Sequence, residues 1–189
     1  RHRNATAASV THKQPLVTAY RPDRLIPIRQ GHDLLDTTWY DRPTPAVTLG
    51  EVAFFTDSTG QITALDLATG KPRWTRHLGC PVFGSPVAHR GMLFIPGGDG
   101  VVHAVSAADG TPVWSWRAAP VDRRLMVFGK LSSTWPVISL LVENDRIYGI
   151  GGLSQTLGSI LFSLDPASGA AHWTQFVEPD FRSGSVLPR

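Results

Sequence analysis

The chain has 189 residues, of which 42% are hydrophobic and 17% charged, a composition typical of globular rather than disordered proteins. Its formal net charge is only +3 and its basic residues are scattered, so nothing in the charge pattern favours a nucleic-acid-binding protein. No apolar run approaches the roughly 18 residues of a membrane span, and the single cysteine, Cys80, excludes an intramolecular disulfide and a CxxC metal site.

The beginning of the chain differs from the rest. Residues 1–15 are polar or small and show no period, so we expect a frayed segment there. No signal peptide is visible in it. The remaining residues, 16–189, contain many short β-branched runs separated by glycine and proline, which predicts a single all-β segment.

A short pattern occurs three times and predicts a repeat protein. The copies occupy residues 60–74, 100–114 and 160–173. Each has an Asp (Ser in the second copy), a Gly four residues later and a Trp four residues after the Gly. In chain order these positions are Asp66, Gly70 and Trp74; Ser106, Gly110 and Trp114; and Asp165, Gly169 and Trp173.

Each copy predicts a strand, a turn and a second strand. The apolar, β-branched residues before the Asp are typical of a strand. An Asp side chain can accept hydrogen bonds from the backbone just after it, and a Gly adopts positive φ without steric cost, so Asp-x-x-x-Gly predicts a tight turn. The Trp then begins the next strand and packs against a neighbouring layer. The unit is therefore half of a four-stranded antiparallel sheet.

The spacing of the copies predicts propeller blades. Trp74 and Trp114 are 40 residues apart, which is the length of one four-stranded blade. Trp114 and Trp173 are 59 residues apart, which indicates an insertion of about nineteen residues within 117–140. The predicted blades cover about residues 44–83, 84–116 and 137–177.

The insertion is the best candidate for a binding loop, since insertions in repeat arrays lie on one face, often the face that binds. It combines cations with apolar and aromatic residues that suit an anionic or peptide partner; a solvated loop is the alternative. The candidate residues are Arg123, Arg124, Lys130 and Trp135, with Met126 and Phe128 beside them.

The pattern G-x-I-x-A-L-D-x-x-T-G-x-x-x-W of residues 60–74 resembles the quinoprotein (PQQ-like) β-propeller repeat, and the resemblance extends over about residues 44–175. The second copy departs from it at Ser106. The third unit, with Ser133-Thr134-Trp135-Pro136-Val137, looks like PQQ-binding-like propellers of bacterial envelope and secreted proteins. The resemblance implies a propeller of seven or eight blades in the periplasm or outside the cell.

The chain is short for such a propeller. Eight blades of about forty residues need roughly 320. We therefore expect three to four blades, a fragment of a larger propeller or an arc completed by a partner or a second copy.

Two functions follow from the resemblance. It occurs in a scaffold lipoprotein of the outer-membrane barrel-assembly machinery and in alcohol dehydrogenases, where PQQ lies between a Trp and a disulfide of adjacent cysteines, with calcium held by Glu, Asn and Asp. This chain has only Cys80, and its asparagines are Asn4 and Asn144, so we expect no cofactor within it. We favour a non-catalytic scaffold whose loop face or sheet edge binds a protein partner. The alternative is part of a PQQ-dependent dehydrogenase with its cofactor site outside this chain, and carbohydrate binding stays open.

Other polar residues have structural interpretations. The histidines lack the i, i+2 or i, i+4 spacing of a zinc pair, and the serines lack a nucleophile elbow. Aspartates in Gly-rich turns are expected to cap the backbone rather than to bind calcium. The residues considered were His77, His89, His103 and His172; Ser58 and Ser85; and Asp57, Asp99 and Asp109.

Overall fold

A computed structural model describes residues 28–29, 38–39, 44–127, 130–152 and 157–178; the predicted frayed segment 1–15 lies outside these residues. The described residues form strands and turns without a helix, arranged as three four-stranded and two two-stranded antiparallel sheets. The predicted all-β, four-stranded architecture is confirmed. Among the described residues there is accordingly no helix long and apolar enough to cross a membrane.

The three four-stranded sheets are named blade 1, blade 2 and blade 3. Blade 1 comprises β3 (Val47–Leu49), β4 (Val52–Thr56), β5 (Gln61–Asp66) and β6 (Pro72–His77). Blade 2 comprises β7 (Val87–His89), β8 (Met92–Pro96), β9 (Val101–Ser106) and β10 (Pro112–Arg117). Blade 3 comprises β13 (Val137–Glu143), β14 (Arg146–Gly151), β15 (Ser159–Leu164) and β16 (Ala171–Val177).

Two short ribbons flank the blades. Strands β1 (Ile28–Arg29) and β2 (Thr38–Trp39) precede blade 1. Strands β11 (Arg124–Val127) and β12 (Lys130–Ser133) form a hairpin between blades 2 and 3, inside the predicted insertion. We call residues 121–127 and 130–133 the insertion hairpin; Phe128 lies outside the described residues.

The blades are arrayed around an axis. Within each blade the strands pair in chain order, as in a meander. The first strands of successive blades contact one another, β3 with β7 and β7 with β13, which places them innermost. The fourth strands are the outermost and the most exposed, and every residue of β16 is exposed. This is the radial arrangement of propeller blades.

The hydrophobic core lies between the blades. In β8 the consecutive residues Leu93, Phe94 and Ile95 are all fully buried. Leu93 and Ile95 pack in the cluster shared with blade 1, whereas Phe94 packs in the cluster shared with blade 3. Because successive side chains of a strand point to opposite faces, blade 2 is covered on both sides.

The arc does not close among the described residues. Blade 3 presents apolar side chains with no described blade against them, including Leu141, Trp173 and Val177. Blade 3 therefore has an apolar outer face of the kind that another blade or a partner covers. Its edge strands are also open to pairing with a further strand.

Candidate functional site

The repeated turns are built as the sequence predicted. The Asp66 carboxylate accepts hydrogen bonds from the Thr69 N–H at 2.9 Å and from the Thr69 hydroxyl at 2.9 Å. Asp165 accepts the equivalent pair from Ser168, at 2.8 and 2.7 Å. The Gly70 N–H donates to the Asp66 carbonyl at 2.7 Å, and Gly70 has a φ of 67°. The Asp-x-x-x-Gly segment is thus a capped turn.

Each repeat Trp joins its blade to the turn of the following one. Trp74 donates its indole N–H to the Ala107 carbonyl of blade 2 at 3.1 Å. Trp114 donates to the Pro166 carbonyl of blade 3 at 3.0 Å. The rings lie directly over the turn glycines, since a Cβ on Gly110 would come within 2.8 Å of Trp74. These two Trp residues therefore hold neighbouring blades together.

Trp173 occupies the same position in blade 3 but is 44% exposed. Its ring touches Tyr148 of its own blade, with centroids 6.4 Å apart, and no described blade follows it. The three strands that carry these Trp residues begin two residues earlier than predicted, at Pro72, Pro112 and Ala171. The indole surface of Trp173 is available to a further turn.

The turn in blade 1 gives the chain an acid-sensitive element. Arg73 donates to the Asp66 carboxylate at 2.6 Å. The hydrogen bonds from Arg73, followed by those from Thr69, lower the pKa of Asp66 from 3.8 to about 2. Because the folded-state pKa lies below the unfolded one, ionised Asp66 favours the folded state above pH 3.8, and this contribution is lost as the pH falls toward 2.

We expect Asp66→Asn to flatten the pH dependence of the unfolding midpoint between pH 3.8 and about 2. Arg73→Ala should flatten it in the same direction, since Arg73 is the main cause of the lowered pKa. Thermal unfolding followed by circular dichroism at closely spaced pH values measures the effect. An acid limb that is equally steep in both variants and in the unmodified chain would contradict it.

The candidate binding residues on the insertion hairpin differ in their exposure to solvent. Met126 and Leu131 are direct cross-strand partners, so their side chains share one face, and they are 64% and 53% exposed. Arg124 lies two residues before Met126 on that face and donates to Asp122 at 3.1 Å. Arg123 is also exposed, whereas Lys130 is half-buried. The exposed face combines two apolar side chains with a cation.

Trp135 is located beneath the hairpin, in the core. It is buried between blades 2 and 3, and its indole N–H donates to the Leu157 carbonyl at 3.1 Å. Its backbone N–H donates to the Ser133 hydroxyl at 3.1 Å. The structure therefore separates Trp135 from the exposed cations with which the sequence analysis grouped it.

The turn aspartates act as the sequence predicted, because Asp57 and Asp109 accept backbone N–H groups at 2.9 and 3.0 Å. His89 has a role that the sequence did not indicate. Its Nε2 lies 2.7 Å from the carboxylate of Asp145, which also pairs with Arg90 at 3.0 Å. Asp145 belongs to the predicted hairpin turn between β13 and β14, so this group connects blade 2 to blade 3.

One cluster of ionisable residues was missed entirely. Cys80, Asp99 and His103 place one ligand atom each within 4.8 Å of one another. The His103 Nε2 lies 3.1 Å from the Asp99 carboxylate and 3.7 Å from the Cys80 sulfur. The histidine spacing could not reveal this group, since it contains one histidine and its cysteine comes from a different segment. The only sequence sign is an acid four residues before a histidine, after a Gly-rich turn.

The environment sets the charge of these groups. Burial, followed by the charge of Asp99, raises the pKa of the Cys80 thiol to about 12. Burial also acts to raise the pKa of Asp99, but the hydrogen bond and charge of His103, together with hydrogen bonds from the Val101 N–H and Cys80, outweigh it, and the pKa is lowered. Cys80 is therefore a neutral thiol at neutral pH without a metal, and not an activated nucleophile.

The residues do not match a PQQ site of the kind that the resemblance implies. Asn144 lies in the exposed β13–β14 turn at a φ of 48°, and its neighbours Glu143 and Asp145 are not part of the described group of three potential metal ligands. The one described group of three His, Cys, Asp or Glu ligands contains a thiol and an imidazole, which differ from the oxygen donors that calcium requires. The described residues therefore supply no catalytic step that would use PQQ.

Radially arrayed four-stranded blades, joined by a Trp that docks on the next turn, define the chain as an open arc of a β-propeller. A family model described as outer membrane protein assembly factor BamB matches residues 28–187, and the chain belongs to this family. This match confirms the resemblance to the PQQ-like β-propeller repeat family. No curated protein sequence matches the chain.

Solved structures share the fold at low identity. BamB from Moraxella catarrhalis has a TM-score of 0.50 at 20% identity, over 67% of this chain and 34% of that one. Quinohemoprotein alcohol dehydrogenase from Comamonas testosteroni has a TM-score of 0.58 at 18% identity, over 70% and 20%. The computationally designed Ika4 protein has a TM-score of 0.54 at 12% identity, over 71% and 72%. The chain thus spans about a third of that BamB and a fifth of that dehydrogenase.

Proposed function

We propose that this chain is part of a non-catalytic BamB-like propeller that acts as a protein-binding scaffold in the bacterial envelope. Family membership supports this proposal, since the description of the family model is that of an outer membrane protein assembly factor. The open face of blade 3 supports its being one part of a larger ring. The absence of a PQQ-type ligand set from the described residues favours a scaffold over a dehydrogenase.

The observation that carries the proposal is the exposed face of the insertion hairpin. Met126 and Leu131 form an apolar pair in solvent, and Arg124 lies beside them. Exposed apolar residues with polar residues around them are typical of protein contact surfaces, where Met and Arg are enriched. The partner that fits is a protein segment whose apolar side chain covers Met126 and Leu131 beside the Arg124–Asp122 ion pair, and the edge of the two-stranded ribbon can also accept an added strand.

Crosslinking from the hairpin tests the proposal. With a photo-crosslinking residue at Met126 of the intact protein, we expect a discrete adduct in cells. The double variant Met126→Asp with Leu131→Asp should abolish partner binding, while surface charges should change stability by only about 0.5 kcal/mol. Leu67→Asp, at an exposed apolar position in a blade 1 turn, is the matched control. Equal crosslinking from positions 67 and 126 would contradict the proposal.

The dehydrogenase alternative has its own test. The structural likeness to quinohemoprotein alcohol dehydrogenase shows the fold alone. The intact protein should be supplied with PQQ and calcium and assayed for cofactor absorbance and dye-linked alcohol oxidation. A scaffold shows neither. Activity that is lost on substitution of residues in this chain would overturn the scaffold proposal.

A further inference from the structure

We propose that Cys80, Asp99 and His103 form a zinc site at the junction of blades 1 and 2, with water as the fourth ligand. This inference does not depend on the scaffold function, and it replaces the expectation that the chain contains no metal site. Cys80 lies in the segment that leads from blade 1 to blade 2, Asp99 in the turn between β8 and β9, and His103 in β9. Two segments distant in sequence, one with Cys80 and one with Asp99 and His103, thus bring three different donors together.

The distances suit a tetrahedral zinc ion. With ordinary Zn–S and Zn–N bond lengths, a tetrahedron separates sulfur from nitrogen by about 3.6 Å and nitrogen from oxygen by about 3.4 Å. The corresponding distances here are 3.7 Å from Cys80 Sγ to His103 Nε2 and 3.1 to 3.3 Å from Nε2 to the Asp99 oxygens. Sulfur and carboxylate both face the same ring nitrogen. Without a metal, His103 and Cys80 both form hydrogen bonds with the Asp99 carboxylate, and the same three ligand atoms can face one cation.

The donor set selects the metal. A thiolate, an imidazole and a carboxylate are the three ligand types that zinc binds in proteins. Calcium and magnesium require more oxygen atoms and no sulfur, and a carboxylate is a poor ligand for copper(I). Three protein ligands leave one position for water. The side chains of Asp99 and His103 are about one-fifth exposed, at 21% and 20%, which leaves access for that water.

Backbone contacts hold the Cys80 segment against the turn and strand that carry Asp99 and His103. The Gly98 N–H donates to the Pro81 carbonyl at 2.6 Å, and Val82 bridges to Gly97, so the Cys80 segment is fixed to the turn that carries Asp99. The Val101 N–H donates to the Asp99 carboxylate at 3.1 Å. Ligands held on fixed elements lose little entropy when they bind a metal.

Gly97 makes room for two of the ligands. A Cβ at this position would lie 2.3 Å from the Asp99 Oδ1 and 2.9 Å from the His103 ring. Any side chain here would displace both groups. The glycine therefore permits the close approach that a shared metal needs.

The repeat itself shows that the fold does not require these residues. Gly60 of blade 1 and Gly100 of blade 2 begin equivalent copies, which aligns Asp99 with Thr59 and His103 with Thr63. Blade 1 forms the same sheet with threonine at both positions. The acid and the imidazole of blade 2 are thus additions to the repeat, located opposite the only cysteine of the chain.

Metal titration of the intact, reduced protein tests the site. We expect the protein to bind one equivalent of Zn²⁺ in competition with a chromophoric chelator. Bound Co²⁺ should produce a near-ultraviolet thiolate-to-metal charge-transfer band. Cys80→Ser should abolish that band and weaken zinc binding by at least about 100-fold, because losing even an outer-sphere partner costs 10- to 100-fold. Under conditions in which the protein stays folded, bound Zn²⁺ should protect Cys80 from a thiol reagent, and Ca²⁺ should not.

The repeat supplies a variant designed to fold without the site. Asp99→Thr with His103→Thr installs the residues of blade 1 and should remove zinc binding while the circular dichroism spectrum persists. His172→Asn, on exposed β16, is the matched control and should bind zinc like the unmodified protein. Failure of the unmodified protein to bind Zn²⁺ would overturn the proposal. So would one equivalent bound equally by the Cys80→Ser and double-threonine variants.

Discussion

Gly110→Ala is expected to lower the free energy of unfolding of the chain by about 3 kcal/mol. Two costs add. Gly110 has a φ of 74°, in the left-handed region where a Cβ costs about 1 to 2 kcal/mol. The new Cβ would also lie 2.8 Å from the ring of Trp74 and 2.6 Å from the Arg76 side chain, and overpacking costs about 1 to 3 kcal/mol.

Gly91→Ala is the matched control for Gly110→Ala. Gly91 has a nearly equal φ of 77°, but a Cβ there meets nothing within 4 Å. We expect it to cost about 1 kcal/mol, which is the backbone term alone. The difference between the two variants in urea denaturation measures the contact between blades 1 and 2. Equal losses of unfolding free energy in the two variants would show that Trp74 does not contact this turn.

The second large effect is expected for Trp114→Ala, which should lower the free energy of unfolding by about 3 to 4 kcal/mol. The indole of Trp114 stacks on Phe94 with centroids 5.5 Å apart, covers Gly169 and donates its N–H to the Pro166 carbonyl. Its removal leaves a cavity between blades 2 and 3 and an unsatisfied carbonyl.

Trp173→Ala removes the same side chain at the same repeat position of blade 3. Because Trp173 is 44% exposed here, we expect a loss of less than about 1 kcal/mol for this chain. In a longer protein with a following blade, the loss should rise to that of Trp114→Ala. A large loss for Trp173→Ala in the 189-residue chain would contradict the docking of each Trp on the next blade.

The sequence could predict features that depend on local geometry. The capped turn at Asp66 and Gly70 follows from side-chain reach and from the freedom of glycine at positive φ, so fifteen residues determine it. The interval between Trp74 and Trp114 then sets the blade length, and the structure has four strands per blade. Repetition made these local patterns recognisable.

Features that depend on contacts distant in sequence escaped prediction. Trp135 was grouped with the cations of the insertion because they are close in sequence, but the hairpin folds outward while Trp135 turns into the core. Cys80 and His103 are 23 residues apart in sequence. They approach each other because a backbone hydrogen bond holds the segment between blades 1 and 2 against a turn of blade 2. Neither spacing nor residue type contains that information.

A double-mutant cycle between Trp114 and Gly169 tests the central claim most directly. The cycle compares Gly169→Ala in the unmodified chain and in Trp114→Ala. A Cβ on Gly169 would lie 2.6 Å from the Trp114 ring, so the substitution should cost about 3 kcal/mol with the ring present and about 1 kcal/mol without it. A coupling energy of about 2 kcal/mol between the two sites is therefore predicted. Equal costs in both backgrounds would contradict the account, because they would mean that the Trp of blade 2 does not lie on the turn of blade 3.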